Sequence, residues 1–188
     1  DLVGAFVPVA LPDRSAHEAG EALALKTARL LATDAAARPK IVLSDATVAN
    51  PLRTAKAGRI TAADSLSPAQ WRTVAGGAER IARAVLTETG LRTVFHHHCA
   101  TYVETPSEIA ELMARTSNEL LGLCLDTGHA TYGGGDALEL LEQHRARIDH
   151  VHFKDCEPRV AAAARQQQWD YIQAVGSGVF CELGNGSV

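Results

Sequence analysis

No run in this 188-residue sequence approaches the roughly 18 apolar residues that a membrane helix needs, so a membrane-spanning helix is not expected. The N-terminus lacks the charged-then-apolar pattern of a signal peptide. Basic clusters are missing as well. The net charge is −4, and Lys and Arg are scattered, which argues against a nucleic-acid surface because phosphate binding draws on clustered cations. The four cysteines, Cys99, Cys124, Cys156 and Cys181, lie far apart and make no CxxC pair, which leaves little support for a zinc knuckle or a disulfide framework. They read as reduced packing thiols of a cytoplasmic protein. No low-complexity segment or domain boundary interrupts the chain. It opens with Asp1 rather than Met, directly on an apolar run, and the expectation is a fragment: one incomplete domain over residues 1–188.

What is present is a repeat of strand and helix. At 46% hydrophobic and 21% charged residues the composition is that of a globular domain. Leu2 to Ala10, Lys40 to Ser44, Arg92 to His98, Leu121 to Leu125 and Ile148 to Phe153 read as five strands. Helices are expected over Ala16 to Ala32, capped by Ser15 and Glu18, from Ser67 to Thr89, capped by Ser67 with Pro68 and Gln70, over Ser107 to Ala114, where Thr105, Pro106 and Glu108 repeat that cap, from Asp136, and from Pro158 to Ala174. Gly90 ends the second of these. Asp45 to Ser65 has no clear period and is expected to be a long loop of functional use. Strand, helix and strand within about 35 residues, as in Leu121 to Asp155, make a parallel βαβ unit with a right-handed crossover. The fold class is α/β, with strand ends converging on the C-terminal edge of a parallel sheet, where such enzymes keep their sites.

The polar residues at those strand ends are the chemical candidates. Asp126 stops an apolar strand, where a carboxylate is costly unless a cation or hydrogen-bond donors answer it. His129 follows three residues later, and His152 alternates with His150 on the next strand. Carboxylate and imidazole groups from separate strand ends suit a divalent ion such as Mn, Co, Mg or Zn. In the triple histidine, alternation puts His96 and His98 on one face and His97 on the other; the bland alternative is one buried, hydrogen-bonded imidazole in an incidental run. Glu104 suits a helix N-terminus by its charge alone. Lys154 and Asp155 read equally as site residues or as an ion pair sealing the rim. Glu182, beside the Gly184, Asn185, Gly186 turn, is placed to approach a ligand, although a surface turn is the commoner use of such a sequence.

The segments HHHCATYVETPSEI, LCLDTGHATYGGGD, HVHFKD and GVFCELGNGSV, with AGRI at Ala57 to Ile60, resemble the myo-inosose dehydratases of the sugar-phosphate isomerase/epimerase superfamily, which are xylose-isomerase-like barrels. The resemblance implies a partial (β/α)8 TIM barrel of about five βα units, strands three to seven, without the first two strands and the last. It also implies one divalent metal, Mn or Co before Mg or Zn, held by a Glu, an Asp, a His and a second Glu. By position Asp126 matches the aspartate ligand and His152 the histidine ligand. Glu104 is the carboxylate in the stretch matching the first Glu, although His96 to His98 occupy that strand end, so the third-strand ligand stays open between them. The last Glu would lie beyond Val188. His129 matches a histidine that touches substrate; with Glu104 and Lys154 it forms the catalytic candidates, while His96, His98 and Glu182 are substrate-binding candidates.

The implied reaction is loss of water from 2-keto-myo-inositol (scyllo-inosose), by proton abstraction next to the ketone and departure of a β-hydroxyl. The implied partner is a small keto-polyol, with no nucleic acid and no membrane, and with homo-oligomerisation left open. A sugar isomerase or epimerase would use the same enolate and return the proton. A repair nuclease of a related barrel type would need more ligands and a basic groove, which the net charge opposes. A catalytically incomplete fragment is the third alternative.

Overall fold

The computed structural model describes residues 2–33, 37–47 and 49–188. Asp1, on which the expectation of a fragment partly rested, and Val48, inside the expected long loop, lie outside the described residues. Five parallel strands, β1 (Gly4–Val9), β2 (Lys40–Asp45), β3 (Arg92–His96), β4 (Leu121–Asp126) and β5 (Ile148–His152), lie in the order β1-β2-β3-β4-β5. Pro8 lacks an N–H but sits in β1, at the edge of this order, where no ladder bond is lost.

Alternation divides the sheet. One face carries Val7, Val9, Ile41, Leu43, Phe95, Leu121, Leu123 and Leu125, buried against α1 (His17–Leu31), α3 (Pro68–Thr89), α4 (Pro106–Arg115) and α6 (Ala137–His144) in the main core. The other face carries Val42, Val94 and Cys124, with Asp126, His150 and His152 farther along the same rows. A second core lies over the C-terminal edge of the strands. It is built from Tyr132, Cys156, Ala161 and Tyr171 with Ala57, Cys99 and Val179 from the adjoining turns, on and around α2 (Pro51–Lys56), α5 (Thr127–Tyr132), α7 (Pro158–Gln166), α8 (Tyr171–Gly176) and the antiparallel pair β6 (Asp155–Cys156) and β7 (Phe180–Cys181). Among the described residues no helix is long and apolar enough to cross a membrane.

The cap signals of α3 and α4 act as expected: Ser67 with Gln70, and Thr105 with Glu108, form reciprocal capping boxes with Pro at the first turn. Gly90 closes α3 at φ 70°. Ser15 and Glu18 do not cap α1. Asp13 accepts the Ser15 N–H instead and starts a 3-10 turn that runs into the helix.

Three further expectations are corrected. The stretch after Asp45 is not a plain loop, because Asn50 accepts the Arg53 N–H and Pro51 follows it, starting α2; its six residues are too short to show a period. Pro158 to Ala174 is broken near Gln168, at φ 55°, and restarts where Asp170 accepts the Gln173 N–H. The strand of the triple histidine ends at His96, since the chain turns through Ala100 at φ 68°, so face alternation does not govern His97 and His98.

Candidate active site

Asp126 ends β4 and starts α5 without an intervening loop. Its Oδ1 accepts the His129 N–H at 3.0 Å, which makes this aspartate the N-cap of α5. The segment after Asp126 is therefore helical despite Gly128. A side chain at Gly128 would meet Lys154 Cβ at 2.5 Å, so glycine here allows the helix to lie against β6.

The other oxygen of Asp126 faces side chains. His96 Nε2, at the end of β3, lies 3.2 Å from Oδ2, and His152 Nδ1, paired with Asp126 in the β4–β5 register, lies 3.7 Å away. Lys154 Nζ also bonds to Oδ2. Asp126 is fully buried and His96 nearly so, while His152 and Lys154 are about one-third exposed. Burial acts to raise the Asp126 carboxyl, but the ring nitrogens of His152 and His96 and the His129 amide outweigh it and hold the group well below the usual carboxylate range.

Ligand atoms of His96, Asp126 and His152 all lie within 4.8 Å of one another. Glu104 is not among them. Its buried carboxylate accepts the Gly58 N–H at 2.7 Å and the Ala100 N–H at 2.8 Å, and burial pushes it up to about 7 against those two bonds. Glu182 lies exposed in the turn after β7, its carbonyl accepting the Asn185 N–H. Lys154 does not pair with Asp155, whose carboxylate instead takes the amides of Cys156, Gly184, Gly186 and Val188.

Around this centre lies an imidazole cluster. The rings of His98 and His129 have centroids 3.8 Å apart, with Tyr171 and Phe180 beside them. His98 Nδ1 lies 2.6 Å from the Cys99 carbonyl and so carries the proton, which leaves Nε2 with a free lone pair. His129 is the reverse: Nδ1 accepts the Cys99 N–H at 3.4 Å, so Nε2 carries the proton. Burial pushes His98 down to about 4 and His129 well below its ordinary value, so both rings are neutral. His97 is a structural member, accepting the Asp126 N–H at 3.1 Å on Nε2.

Sequence reasoning passed over Arg53 and Asp45, and read Glu108 only as a helix cap. Arg53 is fully buried and bidentate to Glu108 at 2.9 and 2.8 Å, and also bonds the Thr101 carbonyl. Asp45, at the end of β2, accepts the amides of Leu11 and Tyr102. An acidic strand end was the available signal for Asp45; nothing local marks a pair 55 residues apart.

The inosose dehydratase of Clostridium perfringens is 36% identical to this chain over 123 residues, which are 65% of the chain and 41% of that protein. The inosose dehydratase of Geobacillus kaustophilus is 40% identical over 123 residues, 40% of its length. The chain thus matches about two-fifths of each relative. Among solved structures, the probable 3-DHS dehydratase AsbF of Bacillus anthracis superposes over 100% of this chain and 62% of its own, with TM-score 0.62 and 18% identity. IolI with a bound zinc atom does so over 82% and 51%, with TM-score 0.60 and 15% identity. A parallel sheet with its polar strand ends gathered at one edge is the arrangement of the family described as xylose isomerase-like TIM barrel, which matches residues 44–182, and the chain belongs to it.

Proposed function

We propose that this chain provides the metal-ligand and proton-handling part of an enzyme that dehydrates a keto-polyol of the inosose type. The observation that carries the reading is Asp126: a fully buried carboxylate answered by side-chain nitrogens of His96 on β3, His152 on β5 and Lys154 just beyond β5. One carboxylate oxygen and two imidazole nitrogens within 4.8 Å form a donor set that suits a borderline divalent ion. In this reading His96, rather than Glu104, is the third-strand ligand beside Asp126 and His152. An ion held there supplies Lewis acidity toward the substrate ketone.

The remaining steps belong to the chain's own residues. His98 offers a bare Nε2 and His129 an Nε2–H, so the two adjoining rings, tilted 40° to each other, present an acceptor and a donor side by side. His98 takes the proton next to the ketone and, as imidazolium, returns it to the departing β-hydroxyl, which leaves as water while the His129 Nε2–H holds that oxygen by a hydrogen bond. Lys154 keeps Asp126 ionised and places a second cation at the centre. Glu104 acts at one remove, fixing Gly58 and Ala100 around the histidine turn.

Asp126→Asn and His129→Gln separate holding from turnover. In the enzyme carrying this chain, assayed with scyllo-inosose while metal content is measured in parallel, Asp126→Asn loses both metal and activity. His129→Gln keeps the metal and loses roughly 10²- to 10⁴-fold in turnover. Full activity in His129→Gln removes it from the mechanism, and stoichiometric metal in Asp126→Asn means that the ligands are others.

A further inference from the structure

One residue row below the Asp126 centre, on the same face of the sheet, a different donor set converges. Cys124 pairs with His150 in the β4–β5 register, and His152 follows His150 by two residues, so all three side chains project to one side. Their ligand atoms lie within 4.8 Å of one another. Cys124 is fully buried, and both histidines are half-buried. A cavity of about 210 Å³ lies against this face, lined by Gly4, Phe6 and Val42 with His150 and His152, so an ion and a water ligand have room beside the two imidazoles. No carboxylate belongs to this set, whereas the set one row above contains Asp126.

We propose that Cys124, His150 and His152 form a second metal site, selective for thiophilic divalent ions such as Zn²⁺, Cd²⁺ or Co²⁺, which shares His152 with the Asp126 set and therefore competes with it. The chemistry is that of ligand softness. A thiolate with two imidazoles favours Zn²⁺ and Cd²⁺ over Mn²⁺ or Mg²⁺, while the carboxylate-containing set accepts the harder ions. Metal to sulfur and metal to nitrogen distances of about 2.3 and 2.0 to 2.1 Å place tetrahedral ligand atoms roughly 3.5 Å apart, which the three groups reach by small side-chain rotations from their present spacing. Because His152 belongs to both sets, a soft ion bound low withdraws an imidazole from Asp126. The site itself stands on its own residues; the competition rests on the reading of Asp126 as a ligand.

Cobalt(II) titration of the full chain, followed by absorption, tests the site. Wild type gives a thiolate-to-cobalt charge-transfer band in the near ultraviolet. The band disappears in Cys124→Ser, weakens in His150→Gln and persists in Asp126→Asn. A wild type with no such band, or a band that survives Cys124→Ser, overturns the site. If Cys124→Ser does not fold, as judged by circular dichroism, the cadmium-113 NMR shift of wild type reports sulfur ligation directly, and a shift typical of nitrogen and oxygen ligands alone overturns it. Manganese EPR tests the competition: Zn²⁺ also outranks Mn²⁺ at the Asp126 set, so releasing Mn²⁺ should take several-fold more Zn²⁺ in Cys124→Ser than in wild type, and equal amounts remove the competition. Retention of Mn²⁺ by wild type removes the competition, and a chain that never binds Mn²⁺ removes the reading of Asp126 while leaving the cobalt band as evidence for the thiolate site.

Discussion

Two kinds of buried carboxylate occupy the C-terminal edge of this sheet, and they differ in what answers them. Asp45, Glu104 and Asp155 accept main-chain N–H groups: Leu11 and Tyr102, Gly58 and Ala100, and the set from Cys156 to Val188. Asp126 gives one oxygen to a helix N-terminus and the other to His96, His152 and Lys154. An amide has no alternative partner once folded, so a carboxylate that holds amides fixes loops. Side-chain nitrogens can instead rearrange around a ligand. Among these four, all buried, the nature of the partner therefore separates framework from site more sharply than burial or charge does; Glu108 is mixed, taking the Glu104 and Thr105 amides as well as the fully buried Arg53, and belongs to the framework.

The largest effect expected on stability lies in the framework. Arg53→Met removes the cation facing Glu108 and leaves that buried carboxylate without its ion-pair partner, a loss of about 3–5 kcal/mol. Urea unfolding would measure it, and the double variant Arg53→Met/Glu108→Gln should recover part of the loss. A loss below about 1 kcal/mol would mean that the pair is not structural.

Metal-linked stability comes next and isolates Asp126. An ion that binds only the folded chain stabilises it by about 2.7 kcal/mol at a hundred times its Kd. Added Mn²⁺ should therefore raise the melting temperature of wild type and of Asp155→Asn, but not of Asp126→Asn. A rise that persists in Asp126→Asn would erase the distinction between the two kinds of carboxylate.

Glu104 gives a pH signature. Its folded pKa, about 7, lies above the ordinary 4.5 because of burial, so between those values the folded state holds a proton that the unfolded state has released. Stability is then full below about pH 4.5 and falls as pH rises to about 7, by about 3 kcal/mol at 1.36 kcal/mol per unit. Asp45, pushed up to about 6 by burial, adds a slope of the same sign from 3.8 upward. In Glu104→Gln the fall should shrink to the Asp45 part. An unchanged profile of urea midpoint against pH would show that Glu104 is ionised throughout.

Much of this contrast was readable before any fold was known, and the unreadable part has a common cause. Asp126, His129 and His152 stand out because each interrupts or follows an apolar run at a strand end. The capping boxes of α3 and α4 are local, so spacing alone reveals them. His96 beside Asp126 depends on the β3–β4 register, in which His96 pairs with Cys124, and no period within one strand contains that information. Arg53 looks like a surface residue of a loop until Glu108, 55 residues on, meets it. Cys124 reads as packing because its partner His150 belongs to another strand. What the residues alone do not show is pairing across the sheet, and pairing decides which polar groups share an ion.

Asp155 tests the contrast with the smallest effect. Lys154 and Asp155 are adjacent in sequence and read as a plausible ion pair, yet Lys154 turns to Asp126 while Asp155 takes four amides: Oδ1 those of Cys156 and Val188, Oδ2 those of Gly184 and Gly186. These bonds hold the carboxyl down at about 2, the Val188 amide contributing most. Asparagine keeps one acceptor oxygen and turns an NH₂ toward the other two amides, so half of the cradle is lost while the main core is untouched. Amide hydrogen exchange in Asp155→Asn should accelerate at Gly184, Gly186 and Val188, by about tenfold or more for a hydrogen bond to a charged group. Exchange in β2 to β4, and the affinity for Mn²⁺, should match wild type. If Mn²⁺ affinity falls together with tail protection, Asp155 is coupled to the centre through Lys154, and amide-holding carboxylates are not confined to the framework.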